Sequence, residues 1–240
     1  MLHPPLLPGS PRDLYYVPRD PRGLWVNKKG ARFTDECLGQ RTTECGNALN
    51  RQPDKCAYVL WDEELKNLIA KEAKGKHPLL GTRGRQKPQF TDLDERLRAQ
   101  AEKGNIKISY SWDEVAEWMG VGPEALNTTI SEYNSACDKR YDEDFGKCRD
   151  YLLALRTPPF YALKCYLSFL TTMGGIKIDH HMRVINAQDD PIAGLYAVGD
   201  VAGGWESGSY TMVLAGSAYG FALNSGRIAG ENAAKYAQVR

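Results

Sequence analysis

The sequence predicts a chain of mixed α and β structure, with a long α+β part in residues 1–170 and a strand–loop–helix part in residues 171–240. Over the first part, short apolar runs alternate with short amphipathic helical patterns. In the second part, the apolar run at residues 196–198 ends at Gly199-Asp200, which suits a buried strand that delivers an acid to a loop. A helix rich in small residues then follows from about Ser217 to Tyr236.

Bulk composition narrows the possible classes of protein. With 240 residues, of which 42% are hydrophobic, the chain can bury a core. A net charge of +1 gives no reason to expect nucleic acid as a partner. No apolar run approaches the ~20 residues that span a bilayer. The six cysteines are widely spaced without a C-x-x-C pair, which favours free thiols over a disulfide framework or a zinc site.

The segment from Gly23 to Glu36 has the pattern of a β-hairpin. Its strands are predicted at Trp25-Val26 and Arg32-Phe33, with the turn at residues 28–30. Arg32 and Glu36 are spaced so that their side chains could form an ion pair. A structural role for this segment is preferred over direct contact with a substrate.

Further elements of the first part follow from local patterns. Asp62 suits the N-cap of a helix that follows a strand, and Ser111 to Glu114 match a capping box. The basic stretch at residues 71–89 is broken by glycine and proline, which indicates a solvated loop. The other predictions are strands at residues 57–61 and 106–110, helices at 91–103, 112–119 and 123–139, and an extended segment at 158–163.

Glycines and a predicted helix start mark the second part as a candidate ligand site. Free N–H groups near residues 215–218 would face the glycine-rich loop at 201–216, which suits an anionic or partly negative group. The alternative is that this part is only a tightly packed strand, loop and helix, because scattered glycines are weak signals.

Three motifs in the second part carry a resemblance to a known family. Thr-Met-Gly-Gly ends at Gly175, Gly-Leu-Tyr-Ala-Val-Gly-Asp ends at Asp200, and Gly-Arg-Ile-Ala-Gly-Glu-Asn-Ala-Ala begins at Gly226. In this order and spacing they resemble the C-terminal half of the fumarate reductase/succinate dehydrogenase flavoprotein family, which includes flavocytochrome c and 3-ketosteroid dehydrogenase relatives. The resemblance is strong over residues 160–240 and looser over the first 45 residues.

The resemblance implies two domains. Residues 1–170 would form an α+β clamp (capping) domain that covers the substrate, including an acidic-aromatic stretch at residues 141–145. Residues 171–240 would supply the C-terminal strands and helix of a Rossmann-like α/β FAD-binding domain. The G-x-G-x-x-G fingerprint of that domain is absent from this sequence. The N-terminal half is therefore expected to be missing, which makes the chain a fragment or one subunit of a split enzyme.

The resemblance also assigns residues to the cofactor FAD. Gly174 and Gly175 would let backbone approach the isoalloxazine ring. Asp200 would accept a hydrogen bond from the ribityl chain or ribose. Backbone at Ala215, Gly216 and Ser217 would face the pyrimidine edge, where a helix N-terminus stabilises negative charge.

Substrate roles are implied in the same way. His3, in a His-Pro pair, corresponds to a carboxylate-binding histidine, and Arg41 to the arginine that protonates the substrate carbon. Tyr210 is a second catalytic candidate, for polarising a carbonyl or relaying a proton, although it could equally serve in packing. Thr171 and Thr211 complete the substrate-binding residues. Thr171 stands where fumarate reductases have a second histidine, and residues 212–214 are apolar where they have an arginine.

These assignments predict an FAD-dependent oxidoreductase that acts on a carbon–carbon bond next to a carbonyl group. Fumarate is disfavoured because a dicarboxylate needs the cations that are replaced here. The direction of the reaction is left open. The expected partners are a small unsaturated carbonyl compound and the missing G-x-G-x-x-G half, without a metal or a membrane span, and the expected location is cytoplasmic. The rival prediction is a non-catalytic fragment or subunit that binds a partner chain and no FAD on its own.

Overall fold

The computed structural model describes residues 2–3, 14, 17–73, 92–167, 174–206 and 216–239. The chain divides into two compact units, Met1–Ser168 and Phe169–Arg240. The assignment of these units as a capping domain and as part of an FAD-binding domain stays a prediction.

The first unit is organised around an antiparallel sheet. Its described strands are β1 (Leu2–His3), β2 (Leu24–Asn27), β3 (Cys56–Asp62), β4 (Ile106–Ser109) and β5 (Phe160–Leu167). β5 is central: β3 pairs with it along one edge, β4 and β1 share the other edge, and β2 pairs with the far side of β3. The segment predicted only as extended near residue 160 is therefore the strand to which most others attach.

Helices cover both faces of this sheet. They are α1 (Thr42–Asn50), α2 (Glu63–Ala73), α3 (Leu93–Glu102), α4 (Trp112–Met119) and α5 (Pro123–Lys139). Successive strand residues point to opposite faces, so β3 is buried at every position. Val59 and Trp61 pack in one core with residues of α1, α2 and α3, whereas Tyr58 and Leu60 pack in a second core with α4 and α5.

Most local predictions for the first unit agree with these elements, but residues 71–73 of the loop predicted at 71–89 belong to α2, and residues 74–89 lie outside the described part of the chain. The hairpin is present, with a bridge between Val26 and Arg32, and the Asn27 side chain accepts hydrogen bonds from the turn amides. Asp62 caps α2 by accepting a hydrogen bond from the Leu65 amide at 3.1 Å. The capping box is only half formed: Ser111 caps α4, but Glu114 accepts a 2.6 Å hydrogen bond from Ser109 instead of returning to the cap amide.

The second unit contains a two-stranded sheet and one long helix among its described residues. The strands are β6 (Arg183–Ile185) and β7 (Pro191–Tyr196), and the helix is α6 (Ser217–Gln238). The predicted helix is confirmed. The predicted buried strand at residues 196–198 is wrong, because β7 ends at Tyr196 and is exposed over nearly its whole length. In the described part of the chain, β7 pairs only with β6. A run of three apolar residues was therefore not enough to predict a buried strand.

A search for membrane-spanning helices covered the described residues. It found none with the length and apolar character to cross a bilayer.

Candidate functional site

A network of four buried charges lies in the first unit. The Arg32 guanidinium donates to both oxygens of Asp142, at 3.0 and 2.9 Å, and to both oxygens of Glu36, at 3.1 and 3.0 Å. The Lys147 ammonium lies 3.2 Å from Glu36, and both of these side chains are fully buried. Two positive and two negative charges balance, which makes burial of the set tolerable. The predicted Arg32–Glu36 pair is confirmed as one edge of this network.

Backbone and aromatic groups satisfy the rest of the network. Lys147 also donates to the Gly23 carbonyl at 3.0 Å and to the Tyr133 hydroxyl at 2.9 Å, and Glu36 accepts from the Trp25 amide at 3.2 Å. The Arg32 guanidinium lies over the Phe145 ring at 4.8 Å. These contacts join the hairpin, α5 and the loop after α5 into one rigid core.

The ionisation of the network follows from its geometry. Burial alone would raise the pKa of the Asp142 carboxyl, but the hydrogen bonds and charge of Arg32 outweigh it and hold that pKa below its usual range. Burial opposes the charge on Arg32, yet the hydrogen bonds that it donates to Asp142 and Glu36, together with their negative charges, raise the pKa of its guanidinium above the usual value. Burial also raises the pKa of Tyr133 well above 10. Asp142 and Arg32 are therefore held in their ionised forms near neutral pH.

Arg41 lies between a 3-10 turn that begins at this network and the helix α1. A 3-10 turn, Glu36–Gln40, begins at the buried Glu36 and is capped by Asp35, which accepts from the Cys37 amide at 3.0 Å. The Arg41 amide donates to the Leu38 carbonyl at 2.8 Å, and its own carbonyl accepts from Cys45 in α1 at 2.9 Å. The Arg41 side chain is exposed. The backbone of Arg41 is thus fixed by hydrogen bonds, whereas its side chain is exposed.

His3 lies in a strand at the edge of the sheet. It lies in β1, opposite Tyr166 of β5. Its side chain is outside the described part of the molecule, so its predicted contact with substrate stays a prediction.

In the second unit, the Gly174-Gly175 segment packs against the residues that follow Asp200. The Ile176 amide donates to the Val201 carbonyl at 2.9 Å, and the Gly203 amide donates to the Ile176 carbonyl at 2.8 Å. Gly175 has a φ of +99°, and a Cβ there would lie 2.5 Å from the Val201 oxygen. Gly174 has a φ of +91° and open space where its Cβ would be. Gly175 is thus required by packing, while Gly174 keeps a free face.

Asp200 is carried by a short 3-10 turn, Gly199–Val201, that is tied to α6. Gly199 has a φ of +65°, and its amide donates to the buried Ser225 hydroxyl at 3.1 Å. The Asp200 side chain is exposed rather than buried within this unit. The turn that carries Asp200 therefore contacts both the segment after Gly175 and α6.

The start of α6 has the features of a helix terminus with free donors. Gly216 precedes the helix with a φ of +87°, and no side chain caps the first turn in the described structure. The first intrahelical bond runs from the Gly220 amide to the Gly216 carbonyl at 2.8 Å, so the preceding amides have no helical acceptor. The Ser217 hydroxyl is buried and has no hydrogen-bond partner among the described residues.

Four predicted site residues lie outside the described part of the chain: Thr171, Tyr210, Thr211 and Ala215. Asp142 and Lys147, in contrast, were missed as site-supporting residues. The acidic-aromatic stretch at residues 141–145 was the available signal, but it does not reveal a partner more than a hundred positions away.

Comparison with known proteins decides the family. The model of the FAD binding domain family matches residues 1–213. The chain belongs to the FAD binding domain family. The predicted flavoprotein resemblance, with FAD as the cofactor of that family, is confirmed.

Three similar proteins show how much of the FAD binding domain relatives this chain spans. Vinyl phenol reductase of Lactiplantibacillus plantarum is 32% identical over 215 residues, which are 89% of this chain and 43% of the relative. NADH:acrylate oxidoreductase of Vibrio harveyi is 32% identical over 215 residues, or 88% of this chain and 18% of the relative. The structure of an open flavocytochrome c3 fumarate reductase matches with a TM-score of 0.60 and 28% identity, covering 91% of this chain and 33% of that one. The chain thus spans less than half the length of each.

Proposed function

We propose that this chain is part of, or a subunit of, an FAD-dependent oxidoreductase that acts on a carbon–carbon bond next to a carbonyl group. The observation that carries the proposal is the convergence of three distant segments in the second unit. Gly175 packs against Val201, and Gly199 is hydrogen-bonded to Ser225 of α6. The family match and the relatives named for acrylate and vinyl phenol support the same conclusion.

The residues of the second unit fit one side of a flavin. When bound, FAD supplies the atom N5 that gives or takes a hydride. The open face of Gly174 allows backbone to approach the ring, and the exposed Asp200 carboxylate accepts from a sugar hydroxyl. The first amides of α6, which have no helical acceptor, and the Ser217 hydroxyl offer donors to a partly negative edge.

The substrate roles in this proposal are assigned residue by residue. Arg41 delivers the proton to the substrate carbon α to the carbonyl, with Tyr210 as the other candidate. His3, Thr171 and Thr211 bind the substrate. An arginine acid needs a group that returns its proton, because its pKa is far above neutral. The fixed backbone and exposed side chain of Arg41 are compatible with this role.

The proposed substrate carries less charge than fumarate. Thr171 and the apolar residues 212–214 replace two cations that would hold a second carboxylate. A monocarboxylate such as acrylate, or an uncharged conjugated alkene, fits this composition better.

A second polypeptide is part of the proposal. In the second unit, β7 and α6 expose Ile192, Leu195, Tyr219 and Leu223, whose side chains are 40–73% exposed. Apolar surface of this kind favours a partner that covers it. The occupant we propose is the half that carries the G-x-G-x-x-G fingerprint, as a separate chain or as more of the same protein. The same surface also favours the alternative, a partner-binding subunit or fragment that binds no FAD alone.

Substrate choice is tested by flavin reoxidation without oxygen. The chain is combined with a polypeptide carrying the G-x-G-x-x-G half and FAD, the flavin is reduced chemically, and acrylate or fumarate is added. We expect acrylate to restore the visible flavin band at least ~10-fold faster than fumarate at equal concentration. A faster reaction with fumarate would contradict the proposed substrate class, and no reaction with a panel of conjugated alkenes would favour the non-catalytic alternative.

A further inference from the structure

Two cysteines flank the buried ion pair of the first unit. Cys37 directly follows Glu36 and Cys148 directly follows Lys147, and the side chains of Glu36 and Lys147 meet at 3.2 Å with no exposure to solvent. This ion pair holds two segments together that are more than a hundred positions apart in sequence. Cys37 and Cys148 therefore each stand one residue from a partner in the same ion pair.

The backbone of Cys148 also lies close to the Cys37 thiol. The backbone N–H of Cys148 donates a hydrogen bond to the Cys37 sulfur. This hydrogen bond and the positive charge of Lys147 both act to lower the pKa of the Cys37 thiol, against the larger effect of burial. Such an approach is compatible with the separation of less than ~7 Å between Cα atoms that a disulfide needs. Cys37 is half-buried and Cys148 is exposed, so an oxidant in solution can reach the pair.

The other four cysteines are less suited to oxidation. Cys45, Cys56 and Cys165 are buried in the sheet core, and burial raises the pKa of the Cys165 thiol well above 9. Cys137 is partly buried on α5, where its thiol interacts with Tyr133. Cys148 is the exposed thiol of the six.

We propose that Cys37 and Cys148 form an oxidation site at which hydrogen peroxide produces an intramolecular disulfide. The Cys148 thiolate attacks peroxide, takes one oxygen to become a sulfenic acid, and releases hydroxide, which a proton converts to water. The Cys37 sulfur then attacks the Cys148 sulfur, its proton leaves with the sulfenic oxygen, and a second water is released. Two thiols and one peroxide thus yield one disulfide and two waters.

The order of these steps follows from the surroundings of the two thiols. Burial, with a contribution from Asp35, raises the pKa of Cys37 to about 11, so this thiol stays protonated at neutral pH. The exposed Cys148 therefore reacts first and Cys37 resolves the sulfenic acid. The product ties the 3-10 turn that leads into Arg41 to the loop that carries Asp142 and Lys147.

The test is peptide mapping of the full chain after treatment with hydrogen peroxide. Trypsin cuts after Arg32, Arg41, Lys147 and Arg149, so Cys37 lies in fragment 33–41 and Cys148 in fragment 148–149. We expect these two fragments to be joined under non-reducing conditions, with two of the six thiols lost. The oxidised chain should also unfold at a temperature higher by about 5 °C, because the cross-link closes a long loop.

Variants separate this disulfide from its alternatives. Cys148→Ser should leave Cys37 reduced after peroxide and abolish the rise in unfolding temperature. Cys137→Ser is the matched control and should leave the cross-link unchanged, since Cys137, on α5, takes no part in it. The proposal is overturned if Cys148 joins the fragment containing Cys137, links two chains, or is oxidised further while Cys37 stays reduced. None of these readouts depends on FAD or on activity.

Discussion

Arg32 and Asp142, which are 110 residues apart in the chain, form a two-pronged ion pair in the interior of the first unit. The same guanidinium holds Glu36, from which the turn leading to Arg41 begins. A single side chain therefore connects the hairpin, the loop after α5 and the segment that carries the candidate acid.

Removal of one charge from this network should destabilise the first unit. In Lys147→Met, the fully buried Glu36 loses a cation and Tyr133 loses its donor. We expect the free energy of unfolding to fall by about 3–5 kcal/mol, measured by urea titration with tryptophan fluorescence. Lys139→Met is the matched control, because Lys139 is 61% exposed and pairs with the exposed Glu143, and its effect should stay within ~0.5 kcal/mol. Equal stability of the two variants would contradict the network.

Stability should also fall in acid through Asp142. Arg32 lowers the pKa of this carboxyl in the folded state, so the unfolded chain binds more protons in acid. The stabilisation is complete above the unfolded pKa of ~4 and is lost as the pH falls through the lower folded pKa. Urea titrations from neutral pH to pH ~3 measure this loss. The free energy of unfolding should fall less steeply with pH in Asp142→Asn than in the parent protein, because the variant is already less stable at neutral pH. An identical slope in both proteins would exclude Asp142 as a source of acid sensitivity.

The two neighbouring glycines should differ in their tolerance of alanine. Both have positive φ, so both substitutions carry a strain of about 1 kcal/mol or more. Gly175→Ala adds a clash with the Val201 carbonyl, whereas Gly174→Ala meets open space. We expect the free energy of unfolding of Gly175→Ala to be lower than that of Gly174→Ala by at least ~1 kcal/mol. Unfolding is followed by the fluorescence of Trp205, whose ring stacks on Phe221 at 4.8 Å. Matching stabilities would show that the contact with Val201 is not tight in solution.

The role of Arg41 can be separated from that of Tyr210 by kinetics. In the enzyme completed with its second half, Arg41→Met should slow reduction of the alkene by ~10²–10⁴-fold if this arginine supplies the proton. Arg51→Met is the control, since Arg51 is an exposed arginine at the other end of α1. If Arg41→Met stays within ~2-fold of the parent and Tyr210→Phe is inactive, the acid is the tyrosine.

Local chemistry made much of the first unit predictable. The turn at residues 28–30, the cap at Asp62 and the pair Arg32–Glu36 each depend on residues a few positions apart. Asp142 and Lys147 could not be found in this way, because nothing near them in sequence marks a partner at Arg32 or Glu36. The central place of β5 was missed for the same reason, since strand order depends on contacts between distant segments.

The second unit shows the converse limitation. Its helix was predictable from its small residues, to within two residues of its end at Gln238, and its three motifs were recognisable as a set. The exposure of β7 and Asp200 was not, because apolar composition does not state which surface will be covered. The requirement for Gly175 became clear only from its distance to the Val201 carbonyl.

The most direct test of the central claim is titration with FAD, followed by the visible spectrum of the bound flavin. We expect the 240-residue chain to bind FAD weakly alone and tightly when the G-x-G-x-x-G half is supplied. In that complex, Asp200→Asn should weaken binding by ~10-fold, while Asp190→Asn, an exposed acid before β7, should not. Failure to bind FAD with any second half, or equal affinity in both variants, would contradict the assignment of the second unit as the flavin-contacting part.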